Sequence, residues 1–266
     1  MSAIHQNRIM ITGGCGKIGT LIARNLSDCH AITLLDISPQ PHDIHLPFIQ
    51  ADIAQLDDIR KHFHCDDTVI HLAADHQPNA TWESLLPNNI IGTYNVLQAA
   101  CEAGCHRVIL ASSIHAVLGY PPGVIVTPKM PFRPSNLYGV SKAWGETLGN
   151  YFAYQRGMSV ICVRIGWLMD PSDMAPGDPN LDMIITPQDL IHLMECCIEA
   201  PMHIRYGIFH GLSRNRYNRF DIHETQTLAG YFPQDDAYAM TRYNYDILIR
   251  RWAGKFLRTF RTICRI

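Results

Sequence analysis

Tyr138 and Lys142 stand four residues apart in the stretch NLYGVSKAWGE (136–146). In a helix, residues i and i+4 share a face, so a phenol and an ammonium at this spacing point into the same space. Beside a bound nicotinamide such a pair has a specific use. The lysine charge stabilises a phenolate and draws the tyrosine below its reference pKa of about 10, so that it exchanges a proton with a substrate hydroxyl. Lys142 can also hold the nicotinamide ribose. A third group must polarise the substrate oxygen, and RVILASSIHAV (107–117) supplies Ser112 and Ser113 where a strand would end.

The nucleotide that this chemistry needs has its own signal. TGGCGKIG (12–19) sets Gly13, Gly16 and Gly19 between an apolar run and a helical pattern. The first two glycines allow a tight turn and close approach of the backbone to a pyrophosphate. The third permits tight helix–sheet packing, and the helix N-terminus offers unpaired N–H groups to the anion. Asp36 closes the next apolar run about 20 residues on, where a carboxylate accepts from both ribose hydroxyls. It would repel a 2′-phosphate, and no arginine stands beside it in LLDISPQ (34–40), so NAD is preferred to NADP.

These residues require a scaffold, and the first half of the chain alternates strand-like with helix-like patterns. RIMIT (8–12), AITLLD (31–36), FIQAD (48–52), TVIHLA (68–73), RVILAS (107–112) and SVICVRIG (159–166) read as strands, and GIFHGLS (207–213) as a further one. Helical patterns fall near 17–27, 55–63, 83–103 and after Pro187. Near-continuous apolar strands imply burial on both faces, which predicts an α/β fold, a Rossmann-type doubly wound parallel sheet with helices on both faces. The Pro-, Gly- and Asp-rich stretch 169–182 reads as a loop over the mouth of the sheet. One domain spanning 1–266 is expected, with a small C-terminal substrate-binding part built from about 167–186 and 207–266.

Composition narrows the class. The chain has 266 residues, 47% of them hydrophobic, and a net charge of −2, which leaves no global positive field to attract nucleic acid. No secretory pattern opens the sequence and no run is long enough to span a membrane, so a cytoplasmic protein is expected. Nine scattered cysteines point to reduced thiols. The run HFHCDD (62–67) holds metal-ligand types, but adjacent residues cannot converge on one ion, so no metal site is expected.

The glycine motif, Asp36, ADI (51–53), HLAA (71–74), NNIIGTYNVLQAA (88–100), ASS (111–113), YGVSK (138–142) and VRIG (163–166) together resemble the extended short-chain dehydrogenase/reductases, the NAD-dependent epimerase/dehydratase family. The resemblance implies a catalytic Ser113, Tyr138 and Lys142. It also implies an NAD site lined by Gly13, Gly16, Lys17, Ile18, Gly19, Asp36, Asp52, Ile53, Leu72, Ala73, Ala74, Asn89 and Ile165. Within the branch, the chain is most similar to compact bacterial uronate dehydrogenases, which oxidise the anomeric carbon of a hexuronic acid. A small sugar or sugar acid is the substrate so implied, and a homodimer the assembly.

The chain departs from those enzymes at the substrate side. Ile114 replaces an Asn after the serine, Trp167 replaces a Ser after VRIG, and no arginine lies between Arg164 and Arg205 to clamp a carboxylate. His76, Ser113, Ile114, His115, Tyr138 and Trp167 are the expected substrate-binding residues. Arg164 reads as a structural donor, and Arg214, Arg216 and Arg219 as surface residues or as substitutes for the missing clamp. The tail 247–266 places Ile249, Trp252, Phe256, Leu257, Phe260 and Ile263 at helical spacing with basic residues largely opposite. Packing against the core or a second subunit is the expected role of this basic helix, and an anionic membrane surface the alternative. Two other functions stay open: an epimerase or dehydratase that retains its NAD, and a non-catalytic NAD-binding regulator, against which the intact Ser/Tyr/Lys set counts.

Overall fold

The structure, a computed structural model, describes residues 7–241; the basic segment 247–266 lies outside the described residues. The elements run β1 (Arg8–Thr12), α1 (Lys17–Leu26), β2 (Ala31–Asp36), β3 (Phe48–Gln50), α2 (Leu56–Arg60), β4 (Thr68–His71), α3 (Trp82–Leu85), α4 (Gly92–Ala103) and β5 (Arg107–Ser113). They continue as α5 (Leu137–Arg156), β6 (Ser159–Ile165), β7 (Trp167–Leu168), β8 (Ile184–Ile185), α6 (Pro187–Glu199), β9 (Tyr206–Gly211) and α7 (His223–Ala229).

Seven parallel strands form one sheet in the order β3-β2-β1-β4-β5-β6-β9. The order reverses between β1 and β4, which opens a crevice at the strand ends where open α/β sheets bind ligands. Every residue of β5 and of β6 is buried, as strands covered on both faces require. One apolar layer joins Ile9, Ile11 and Leu34 to Ile22 of α1 and Leu193 of α6. The opposite layer joins Met10, Leu35 and Val108 to Ile59 of α2, Val96 of α4 and Phe152 of α5.

The differences from the sequence reading have local causes. The pattern over 83–103 is not one helix: α3 passes into a π-helical stretch, Leu86–Ile91, before α4 begins. Pro87 lacks an amide hydrogen and crowds the preceding turn, and the widened register absorbs it. Helix α2 is shorter than the pattern over 55–63, because the chain turns from residue 61 onward. The run 62–67 makes turns into β4, and the described residues hold no group of three or more His, Cys, Asp or Glu that could take a metal. Short parallel strands β7 and β8 pair Trp167 with Ile184, a feature too brief to carry a sequence period. The loop 169–182 between them is anchored by its own small cluster of Met174, Leu181, Ile184 and Ala237.

Candidate active site

At the end of β1, Gly13 adopts φ 72°, and a Cβ there would lie 2.5 Å from the Ala73 amide nitrogen. Only glycine lets this loop close onto the end of β4. A Cβ on Gly19 would lie 2.5 Å from the Gly13 carbonyl oxygen, so α1 presses directly on the loop. No side chain caps α1, which leaves its first N–H groups for an anion. Asp36 ends β2 and is drawn to the same loop: its Oδ2 accepts from the Cys15 amide at 2.9 Å and its Oδ1 from the Ser38 amide at 2.9 Å. A carboxylate beside a free helix N-terminus at the strand-order reversal fits a dinucleotide, with Asp36 toward the ribose and α1 toward the pyrophosphate.

Most of the other residues expected to hold the cofactor lie at or near the ends of the neighbouring strands. Leu72 and Ala73 both donate to the Thr12 carbonyl, at 2.9 and 3.0 Å, which splices the ends of β1 and β4. Asp52 accepts from the Ala54 amide at 2.9 Å, and the Ile53 carbonyl accepts from Asn95 of α4 at 2.9 Å. Asn89 is buried within the π-helical stretch. Its amide oxygen accepts from the Asp75 N–H at 2.8 Å, and its nitrogen donates to Ser141 Oγ at 2.9 Å and to the Asp75 carbonyl at 3.0 Å. It thus couples the strand end after β4 to α5. At the start of the 169–182 loop, the Ser172 amide and hydroxyl hold the Asp170 carboxyl below its ordinary value, with the Lys17 charge a lesser contribution. Ala74 is half-buried, and Ile165 is buried at the end of β6.

Tyr138 and Lys142 lie one turn apart on α5, with the Lys142 nitrogen 5.6 Å from the phenol ring centre. Lys142 donates to the Ala111 carbonyl at 2.8 Å, which fixes α5 against β5. Burial pushes the Tyr138 phenol up to about 12; the Ser113 hydroxyl opposes this by hydrogen bonding, and Asp75 adds to it. Burial also pulls Lys142 down to about 8, against the field of Glu146. The expectation that Lys142 holds Tyr138 below an ordinary phenol is therefore not met by the chain alone. Desolvation of the phenolate is the largest cause, and the opposing contribution comes from Ser113.

Of the two serines, Ser112 is committed to Glu146, its hydroxyl lying 2.5 Å from Oε1. Ser113 faces Tyr138, within hydrogen-bond reach of its phenol, and accepts from the His115 amide at 3.2 Å. Arg164 is a structural donor: it grips Glu146 with Nε at 2.8 Å and Nη2 at 2.7 Å, both side chains being buried. Arg219 donates to the carbonyls of Leu118 and Tyr120 and lies 5.6 Å from the Phe220 ring centre, so it serves the scaffold. Arg214 and Arg216 are exposed.

Four expected substrate residues separate by environment. His115 lies edge-on to Tyr138, with ring centres 5.4 Å apart, and burial lowers its basicity. His76 points outward, beside Gln77 at 3.2 Å. Ile114 packs its side chain with Val117, Val126, Leu212 and Phe220, beneath the site. Trp167 is 50% exposed on β7. The sequence reading passed over Asp75, which acts on Tyr138, as well as Glu146 and Asn136. Glu146 had a signal, since it continues the Tyr138–Lys142 spacing by one further turn.

The model of the NAD dependent epimerase/dehydratase family matches residues 9–187. The chain belongs to that family. Among its relatives, the NAD-dependent glucose-6-phosphate dehydrogenase of Haloferax volcanii is 35% identical over 251 residues, 88% of this chain and 95% of the relative. The L-arabinose 1-dehydrogenase (NAD(P)(+)) of the same organism is 30% identical, covering 86% of this chain and 97% of the relative. The crystal structure of uronate dehydrogenase from Agrobacterium tumefaciens superposes with a TM-score of 0.81 at 29% identity, covering 91% of this chain and 89% of that one. The family is NAD dependent, and the seven-stranded parallel sheet with its helices is the framework shared with the uronate dehydrogenase structure.

Proposed function

We propose that this member of the family is an NAD-dependent oxidoreductase that oxidises a small sugar or sugar acid, using Ser113, Tyr138 and Lys142. The observation that carries it is the convergence of Ser113 and the Tyr138–Lys142 pair beside the dinucleotide crevice, with Ser112 diverted to Glu146. Ser113 holds the reacting oxygen, Tyr138 takes its proton, and Lys142 supports the phenolate and reaches the ribose. NAD, when bound, supplies the hydride acceptor. Residues 167–186 and 207–241 form the described part of the substrate side in this reading, with His115 and Trp167 facing the sugar.

The substrate is an aldose or aldose derivative in preference to a free uronate. The arginine cluster offers no ready clamp, because Arg219 is tied to main-chain carbonyls, and Trp167 brings apolar surface where a hydroxyl would serve a uronate. The glucose-6-phosphate dehydrogenase at 35% identity supports this choice; at 30% identity stand both the L-arabinose 1-dehydrogenase and the uronate dehydrogenases of Pseudomonas putida and Agrobacterium fabrum. The expected setting is the cytoplasm, consistent with free thiols throughout the described residues. No helix among them is long and apolar enough to cross a membrane. A homodimer is supported by Val140, Trp144 and Tyr151, which leave an exposed apolar row on α5, with Ile91 and Tyr94 exposed nearby on the π-helical stretch and α4.

A panel of aldoses, sugar phosphates and uronates read by NADH formation tests the proposal, with calorimetry for NAD and NADP. Net NADH with an aldose or its phosphate and weaker turnover of both uronates are expected. Equal or tighter NADP binding would refute the role of Asp36. Co-purified NAD with no net NADH would replace the oxidoreductase reading by a recycling epimerase or dehydratase.

A further inference from the structure

We propose that Asn136 is a positioning residue that fixes His115 as the neutral imidazole protonated on Nε2, so that His115 serves the sugar as a hydrogen-bond donor. The inference rests on the oxidoreductase reading above and specifies what the substrate must offer at this point: an oxygen that accepts, whether hydroxyl, ring or phosphate.

Asn136 is the N-cap of α5, with extended backbone at φ −156° and ψ 170°, and its Oδ1 accepts from the Gly139 amide at 2.8 Å. That bond settles which way the side-chain amide faces. Its Nδ2, a donor only, is then turned to His115 Nδ1 at 3.0 Å. Two donors cannot satisfy each other, so Nδ1 carries the lone pair and the ring proton sits on Nε2. Among the described residues Nε2 makes no hydrogen bond, and it is not among the buried polar atoms left without a partner, so it keeps access to solvent beside Tyr138.

The same turn holds the ring in place. A Cβ on Gly139 would come within 2.2 Å of the His115 carbonyl oxygen, so the first turn of α5 lies directly on the His115 backbone. Tyr138 is the titratable group packed on the ring, and Lys142 lies one turn behind it. Arg133, on the segment before α5, is turned to the Tyr120 ring at 5.3 Å. Burial alone lowers the basicity of His115, in agreement with the unprotonated Nδ1 that Asn136 demands.

The chemical consequence concerns division of labour. An imidazole with its proton on Nε2 donates to the substrate but cannot take a proton from it there. Tyr138 therefore remains the sole base at the reacting oxygen. Aspartate or serine would cap α5 equally well. Asparagine carries the capping acceptor and the donor on two separate atoms, so one side chain reaches both the Gly139 amide and His115 Nδ1, whereas aspartate offers no donor at all.

The test compares wild type with Asn136→Asp and Asn136→Ser, both of which retain the cap. Nitrogen-15 NMR of the NAD-bound protein, with the His115 signals assigned by their loss in His115→Gln, should show Nε2–H in the wild type. In Asn136→Asp it should show Nδ1–H or imidazolium. NAD affinity and Tm should stay near wild type. KM for the best sugar should rise by about 10- to 100-fold with kcat changed less, and kcat/KM should gain an ionisation near neutral pH. Asn136→Ser should raise KM by a few fold. Nδ1–H in the wild type would overturn the proposal, as would an Asn136→Asp enzyme with unchanged tautomer or unchanged KM. If no sugar is oxidised at all, the oxidoreductase reading fails, while the NMR comparison still decides whether Asn136 sets the tautomer.

Discussion

At the residue scale, the site sets desolvation against charge. The Tyr138 phenol at about 12 and the Lys142 amine at about 8 are both displaced toward their neutral forms by burial. A phenolate is needed to accept the substrate proton, so kcat/KM for oxidation should climb from pH 6.5 and flatten above pH 8, where Lys142 itself loses its charge. Initial rates across this range with a saturating cofactor check it; a flat profile would remove Tyr138 as the base. Tyr138→Phe should bind NAD as tightly as wild type by calorimetry and lose about 10²- to 10⁴-fold in kcat. The meeting of Ser113, Tyr138 and Lys142 was legible because serine, tyrosine and lysine announce themselves by type and spacing. Asp75 was not, since its neighbour His76 has the more conspicuous chemistry but faces solvent.

At the element scale, α5 holds Tyr138 and Lys142; its start was legible in their spacing, while its cap, its end and its length were not. Asn136 caps its start and Gly157, at φ 77°, ends it, while Tyr138, Lys142 and Glu146 follow one face. What spacing could not give was the partner of Glu146, because Arg164 lies on β6 and the pair forms only when helix and sheet are assembled. Likewise the π-helical stretch before α4 follows from Pro87 acting inside a helix, and a period of 3.6 residues conceals it. The Glu146–Arg164 pair makes a sharp prediction. Glu146→Gln leaves a buried guanidinium without its counter-charge and should cost about 3–5 kcal/mol in urea unfolding. Glu146→Leu combined with Arg164→Met should recover most of that loss, which would identify the single-variant cost as an unpaired charge and not lost packing.

At the scale of the whole molecule, the doubly wound order was implied by the alternation of apolar strands with helices, since parallel neighbours need crossovers and both faces need cover. The acid stability of this body follows from two buried histidines. His71, between Thr12 at 2.7 Å and Thr93 at 3.3 Å, and His210, beside Arg164, each titrate at about 3 against an ordinary 6.5. Below that ordinary value the unfolded chain takes up protons that the folded one refuses. Their contribution is therefore complete above pH 6.5 and is lost as pH falls, at up to about 2.7 kcal/mol per pH unit for the two together. Tm should drop steadily between pH 6.5 and 4.5, as calorimetry can follow. The apolar row on α5 predicts that Trp144→Glu shifts a dimer to monomer in light scattering while leaving the fold intact. The central claim is sugar oxidation by the Tyr138 base with NAD as acceptor, and one measurement tests it most directly: NADH and sugar product quantified together for wild type and Tyr138→Phe on the best member of the sugar panel. The account predicts one NADH for each oxidised sugar in the wild type and near-complete loss in the variant with NAD affinity unchanged. Sugar conversion without net NADH, or a variant as active as wild type, would contradict it.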